Sequence, residues 1–101
     1  MDMGTLMKQA KELQEKVAAA QKYLAELSIK GIAGNGAVIV ELDGKYNLKK
    51  LTLAPNLMSE SADDVAALIS AAYMDAKTKV DQTIDKVMGD ATGGMQLPGG
   101  M

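Results

Sequence analysis

Apolar residues stand at Met3, Leu6, Ala10, Leu13, Val17, Ala20, Leu24 and Leu27, separated alternately by three and four positions. That mean spacing is a heptad seam, and it predicts a long helix of coiled-coil character over roughly residues 4–26. Lys8, Lys11, Glu15 and Lys22 fall on the opposite side, and Glu12 precedes Lys16 by four residues, the order that supports a helix. The pattern then changes period. Residues 27–32 alternate apolar with small or polar side chains, residues 37–42 are rich in β-branched residues with Val38, Val40 and Leu42 facing one way, and residues 46–53 set Leu51 and Leu53 against Lys50 and Thr52. Gly34-Asn35-Gly36 and Asp43-Gly44 between these runs are turn signals, because Asn and Gly tolerate positive φ. Three short strands joined by tight turns predict an antiparallel meander, which needs a helix on its apolar face to be stable. Pro55-Asn56 ends the meander and Leu57-Met58 suits a short bridging turn. A second helix is expected from Ser61 to about Gly89, with Val65, Leu68, Ile69, Ala72, Ala76, Val80, Ile84 and Val87 as its buried stripe. Ser61 and Asp64 have capping-box spacing, and Asp63 and Asp64 suit the positive end of the helix dipole.

The expected fold class is therefore α+β, in the order α-β-β-β-α: a three-stranded antiparallel sheet with long N-terminal and C-terminal helices. One domain covers residues 1–90, and the Gly-, Pro- and Met-bearing residues 91–101 form a flexible tail. The heptad seam can pack on the chain's own sheet or against a partner helix. It is longer than so small a sheet can cover, so its N-terminal part, with Leu6, Ala10, Leu13 and Val17, is a candidate dimer interface.

Composition narrows the chemistry. The 101 residues contain no His, no Cys and no Arg, and no Phe or Trp. The commonest general base, metal ligand and thiolate nucleophile are thus missing, and the remaining candidates are carboxylates, Lys, Ser, Thr and Tyr. Asp63-Asp64 is the natural furnishing of a first helical turn, and Asp81 and Asp85 lie on the solvent side of the second helix. Gly34-Asn35-Gly36 lacks the Lys-Ser/Thr of a phosphate-binding loop. No catalytic residue, metal site or cofactor is assigned, and the chain is read as not an enzyme. No apolar run approaches the roughly 20 residues needed to span a bilayer, so no membrane partner is expected. The chain opens directly into a charged helical pattern, so no secretory leader and a cytoplasmic location are expected.

The net charge of -2 argues against a nucleic-acid partner, but the charge is unevenly spread. Residues 1–26 are balanced, residues 27–54 are net basic through Lys30, Lys45, Lys49 and Lys50, and residues 55–90 are acidic. Without Arg, bidentate reading of bases is closed to this chain. The residues alone support a dimeric α/β interaction module.

Several segments resemble the YbaB/EbfC family of bacterial nucleoid-associated proteins. Gly4-Thr5-Leu6-Met7-Lys8-Gln9-Ala10 with Leu13-Gln14-Glu15-Lys16 looks like the family's opening helix, and Gly34-Asn35-Gly36-Ala37-Val38 like its Gly-rich turn. Pro55-Asn56-Leu57-Met58 falls at its Asp-Pro-x-Leu-Leu element, with Ala54 in place of the usual Asp. Leu68-Ile69, Ala71-Ala72 and Asp75-Ala76 resemble its second-helix signature, with Met74 where Asn usually stands, and Gly94-Met95-Gln96-Leu97-Pro98-Gly99 resembles its tail. The resemblance implies a cytoplasmic, nucleoid-associated homodimer that binds double-stranded DNA with projecting helices. Carried onto this chain, the contacts come from Lys8, Lys11 and Lys22, joined by Lys77, Lys79 and Lys86. The competing expectation is a protein-interaction module with a replication or recombination partner and only indirect DNA contact.

Overall fold

The computed structural model describes residues 2–91. Their order is α1 (Met3–Glu26), β1 (Ile29–Ala33), β2 (Val38–Leu42), β3 (Leu48–Leu53), a 3-10 turn (Pro55–Ser59) and α2 (Ala62–Ala91). The strands form one antiparallel sheet in the order β1-β2-β3, so the α-β-β-β-α architecture stands as expected. The expected tail lies outside the described residues except for Ala91, which continues α2.

α1 starts where the Asp2 carboxylate accepts the backbone N–H of Thr5 at 2.7 Å, which satisfies one of the donors that a helix start leaves unpaired. α2 starts likewise: Ser61 Oγ accepts the N–H of Asp64 at 3.1 Å. That helix runs two residues past the expected stop, carrying Gly89 inside it, at a cost of about 1 kcal/mol relative to Ala. The first hairpin turns through three successive left-handed residues, Gly34, Asn35 and Gly36, as their types require.

The third strand is shorter than its composition suggests. Tyr46 has φ +68° and belongs to the turn, so β3 begins at Leu48 instead of at residue 46. The turn is organised by Asp43, whose buried carboxylate accepts the N–H groups of Lys45 and Asn47 and the Asn47 side-chain amide at 2.7–3.0 Å. Tyr46 is held from α2, its hydroxyl donating to Asp81.

The core lies between α2 and one face of the sheet. Val38, Val40 and Leu42 of β2, Leu57 of the 3-10 turn, and Ala72, Ala76 and Val80 of α2 are buried together. Each fully buried Val or Leu contributes about 1.5–3 kcal/mol. The remaining stripe residues of α2, Val65, Leu68, Ile69, Ile84 and Val87, are only partly buried. The small residues at the centre of the stripe let the helix approach closely. A Cβ placed on Gly31 of β1 would lie 2.0 Å from the Ala72 carbonyl oxygen and 2.3 Å from the Ala76 nitrogen.

α1 is fastened at its C-terminal end alone. Ala20 and Leu24 are buried, and the Gly44 N–H donates to the Leu24 carbonyl at 2.7 Å. Residues 2–16 are all exposed. The molecule is consequently elongated, with a radius of gyration of 18.9 Å, against about 13 Å for a compact chain of 100 residues.

Candidate nucleic-acid interface and partner surface

The sheet has two unequal edges. In an antiparallel ladder, alternate residues of an edge strand turn their backbone groups outward. On β1 those outward groups are met by α2: the Asp75 carboxylate accepts the Ile32 N–H at 2.9 Å, and Lys79 Nζ donates to the Lys30 carbonyl at 3.1 Å. One turn of α2 thereby closes this edge against another strand. On β3 nothing among the described residues does the same, and the register leaves Leu51 and Leu53 with their backbone groups outward.

β3 is also uncovered on its apolar face. The register places Leu48, Leu51 and Leu53 beside Leu42, Val40 and Val38, on the side of the sheet that faces α2. That helix packs over β1 and β2 and falls short of β3, so Leu48 is 59% and Leu51 40% exposed. An unpaired strand edge and two uncovered leucines, Leu48 and Leu51, therefore coincide, while Leu53 is half-buried against the core.

The seam residues Leu6, Ala10 and Leu13 are exposed and Val17 is half-buried, all on the free part of α1. Lys8 and Lys11 are exposed on the same free part, and Lys22 is exposed nearer its fastened end. The lysines of α2 are placed differently. Lys77 pairs with Asp81 at 3.2 Å and Lys79 with Asp75 at 3.0 Å, both four residues apart on the helix. Lys86 is exposed beside Tyr23 and Asp90 in the shallow groove between α1 and α2. Among the described residues no group of three acidic side chains gathers to hold a metal ion, and no helix is long and apolar enough to cross a membrane.

Four aspartates are lowered by their bonds, Asp2 by the Thr5 N–H at the start of α1 and three others within the fold. The Ile32 N–H and then Lys79 hold the Asp75 carboxyl below the ordinary carboxylate range. The Tyr46 hydroxyl and Lys77 do the same for Asp81, and Asp81 raises Tyr46 in return. Burial pushes Asp43 up, but the side-chain and backbone donors of Asn47 and the Lys45 N–H outweigh it and leave it lowered. A carboxyl lowered on folding stabilises the fold above its unfolded value near 3.8 and ceases to do so as pH falls through the folded value. Thermal midpoints are thus expected to be level from pH 7 to about 5 and to decline below about 4, with a shallower acid limb in Asp75→Asn. An unchanged acid limb in that variant would show that Asp75 plays no part in the acid response.

These features define a small α+β protein with one helix that stands free over its N-terminal part, one closed and one open sheet edge, and most of its lysines exposed. Comparison with known proteins gives the family: the model of the YbaB/EbfC DNA-binding family matches residues 1–95, and the chain belongs to that family. It is 44% identical over 101 residues to a nucleoid-associated protein of Gluconobacter oxydans (strain 621H), a match covering 99% of this chain and 94% of the other. Its fold is that of an uncharacterized protein from Helicobacter pylori known from a crystal structure, with a TM-score of 0.80 at 16% identity over 92% of this chain and 99% of that one.

Sequence reasoning missed the β1 edge clamp and the uncovered leucines of β3. Asp75 stood out only through the family signature, and nothing local in the sequence ties it to Ile32, 43 residues away.

Proposed function

We propose that the chain is a nucleoid-associated, non-enzymatic protein of the cytoplasm that binds double-stranded DNA as a homodimer, mainly through lysine–phosphate contacts. The observation that carries this reading is the free part of α1, which presents Lys8 and Lys11 to solvent with no partner among the described residues. Lys22 extends that surface, and Lys86 can join from α2. Lys77 and Lys79 contribute less, since each must first give up a carboxylate. Contacts of this kind fix the protein on the phosphate backbone without reading sequence, and they suit chromosome organisation or broad gene regulation.

The dimer is best supported at β3. Two copies related by a two-fold axis can pair β3 with β3 in antiparallel fashion, which satisfies the outward groups of Leu51 and Leu53 and brings the exposed leucines together. The seam of Leu6, Ala10, Leu13 and Val17 is a second, smaller surface for the same partner copy. Leu51→Lys is expected to give half the wild-type mass by light scattering while keeping the helical spectrum, because Leu51 is outside the core. Leu13→Lys should leave the mass nearly unchanged. The reverse ranking would place the interface on the seam.

The functional reading is tested with unrelated short duplexes followed by fluorescence anisotropy. Similar affinities for all of them are expected. No binding to any would leave the alternative, an interaction module for a replication or recombination protein that reaches DNA indirectly.

A further inference from the structure

Opposite the core, the sheet turns a second face to solvent. The register puts Lys30 of β1, Glu41 of β2 and Lys50 of β3 in one cross-strand row, with Ile32, Ile39 and Thr52 in the next. Lys30, Ile32, Lys50 and Thr52 are exposed, so neither helix covers this face.

Its charge differs from that of the rest of the molecule. The three strands carry Lys30, Lys49 and Lys50 against one acid, Glu41. That acid is half-buried and accepts the Ser28 hydroxyl at 2.9 Å, and it lies outside ion-pair distance of the lysines on either side. The ammonium groups of Lys30 and Lys50 have no partner among the described residues, whereas Lys49 donates to the Leu27 carbonyl at 3.2 Å. α1 sets four lysines against three glutamates, and α2 sets three lysines against six aspartates, with two of those lysines already paired. The largest surplus of positive charge in any element is therefore on the sheet. By charge, the sheet is the element most favourable to a polyanion and α2, with three lysines against six aspartates, the least favourable.

We propose that the open face of the sheet, through Lys30 and Lys50, is a second surface contacting the phosphate backbone of duplex DNA, in addition to α1. The inference rests on the DNA-binding reading above. It gains weight from the β3 dimer, in which the two faces become one continuous sheet. Strands there are about 4.8 Å apart, so Lys50 of each copy lies near the two-fold axis and Lys30 of each copy farther out. Four ammonium groups then span a width that a single helix cannot offer.

The test is a binding titration of a labelled duplex against the full chain over a series of salt concentrations. Wild type is compared with Lys30→Gln/Lys50→Gln and with Lys30→Arg/Lys50→Arg, after thermal unfolding and light scattering have shown the variants folded and dimeric. Removing one lysine from a phosphate lowers the slope of log affinity against log salt by about 0.9, so the Gln pair is expected to reduce it by about 2 to 4 in a dimer and the Arg pair to restore it. A wild-type chain that binds while the Gln pair leaves slope and affinity unchanged overturns this inference alone. A wild-type chain that does not bind overturns the DNA reading and this inference together.

Discussion

Gly31→Ala is expected to destabilise the protein by about 3 kcal/mol or more, at the upper end of what overpacking a core costs. The added methyl group would sit 2.0 Å from one backbone atom of α2 and 2.3 Å from another, and neither can swing aside as a side chain could. Relief requires α2 to lift from β1. That movement would also stretch the bonds from Asp75 to Ile32 and from Lys79 to Lys30, which close the strand edge. Gly36→Ala is the control. Gly36 has φ +91° with open space around it, so the substitution meets backbone strain alone, about 1–2 kcal/mol. Urea unfolding of both variants checks the ranking. Equal costs would mean that α2 does not rest on Gly31 as closely as described.

The second large effect is on binding. Lys8→Ala/Lys11→Ala should weaken binding to unrelated duplexes alike, because phosphate contacts carry no sequence information. Both residues lie on the part of α1 that stands clear of the core, so folding should be preserved and the weaker binding attributable to charge. In a dimer the pair removes up to four ammonium groups, and the salt slope should fall by about 0.9 for each one that touches a phosphate. Selective weakening for a single duplex, with others untouched, would contradict a phosphate-dominated mode.

The elements were legible because each obeys a local rule. A heptad seam, alternating strands, Asn-Gly turns and a Ser-x-x-Asp start are read within a few residues of sequence. The exceptions are long-range. Alternation set Leu51 and Leu53 on one face of the third strand, but the pairing of Leu51 with Val40 and the width of α2, which leaves Leu51 open, belong to the assembled sheet. Tyr46 has the aromatic character of a strand residue, yet the turn built on Asp43 and the hydroxyl's bond to Asp81 hold it at positive φ. The candidate lysines were visible as residues, but not their states. Lys77 and Lys79 are paired, whereas Lys8 and Lys11 have no partner among the described residues, a distinction set by which acids the fold brings near.

Family membership supports DNA binding, and the exposed lysines of α1 support the central proposal, that a dimer holds DNA by its phosphates. Anisotropy of a labelled duplex with the wild-type protein at about 50 and 200 mM salt tests it most directly. Saturable binding at the lower salt, weakening by several orders of magnitude at the higher, is the expected result. Absence of binding at the lower salt, or affinity that barely responds to salt, would contradict it.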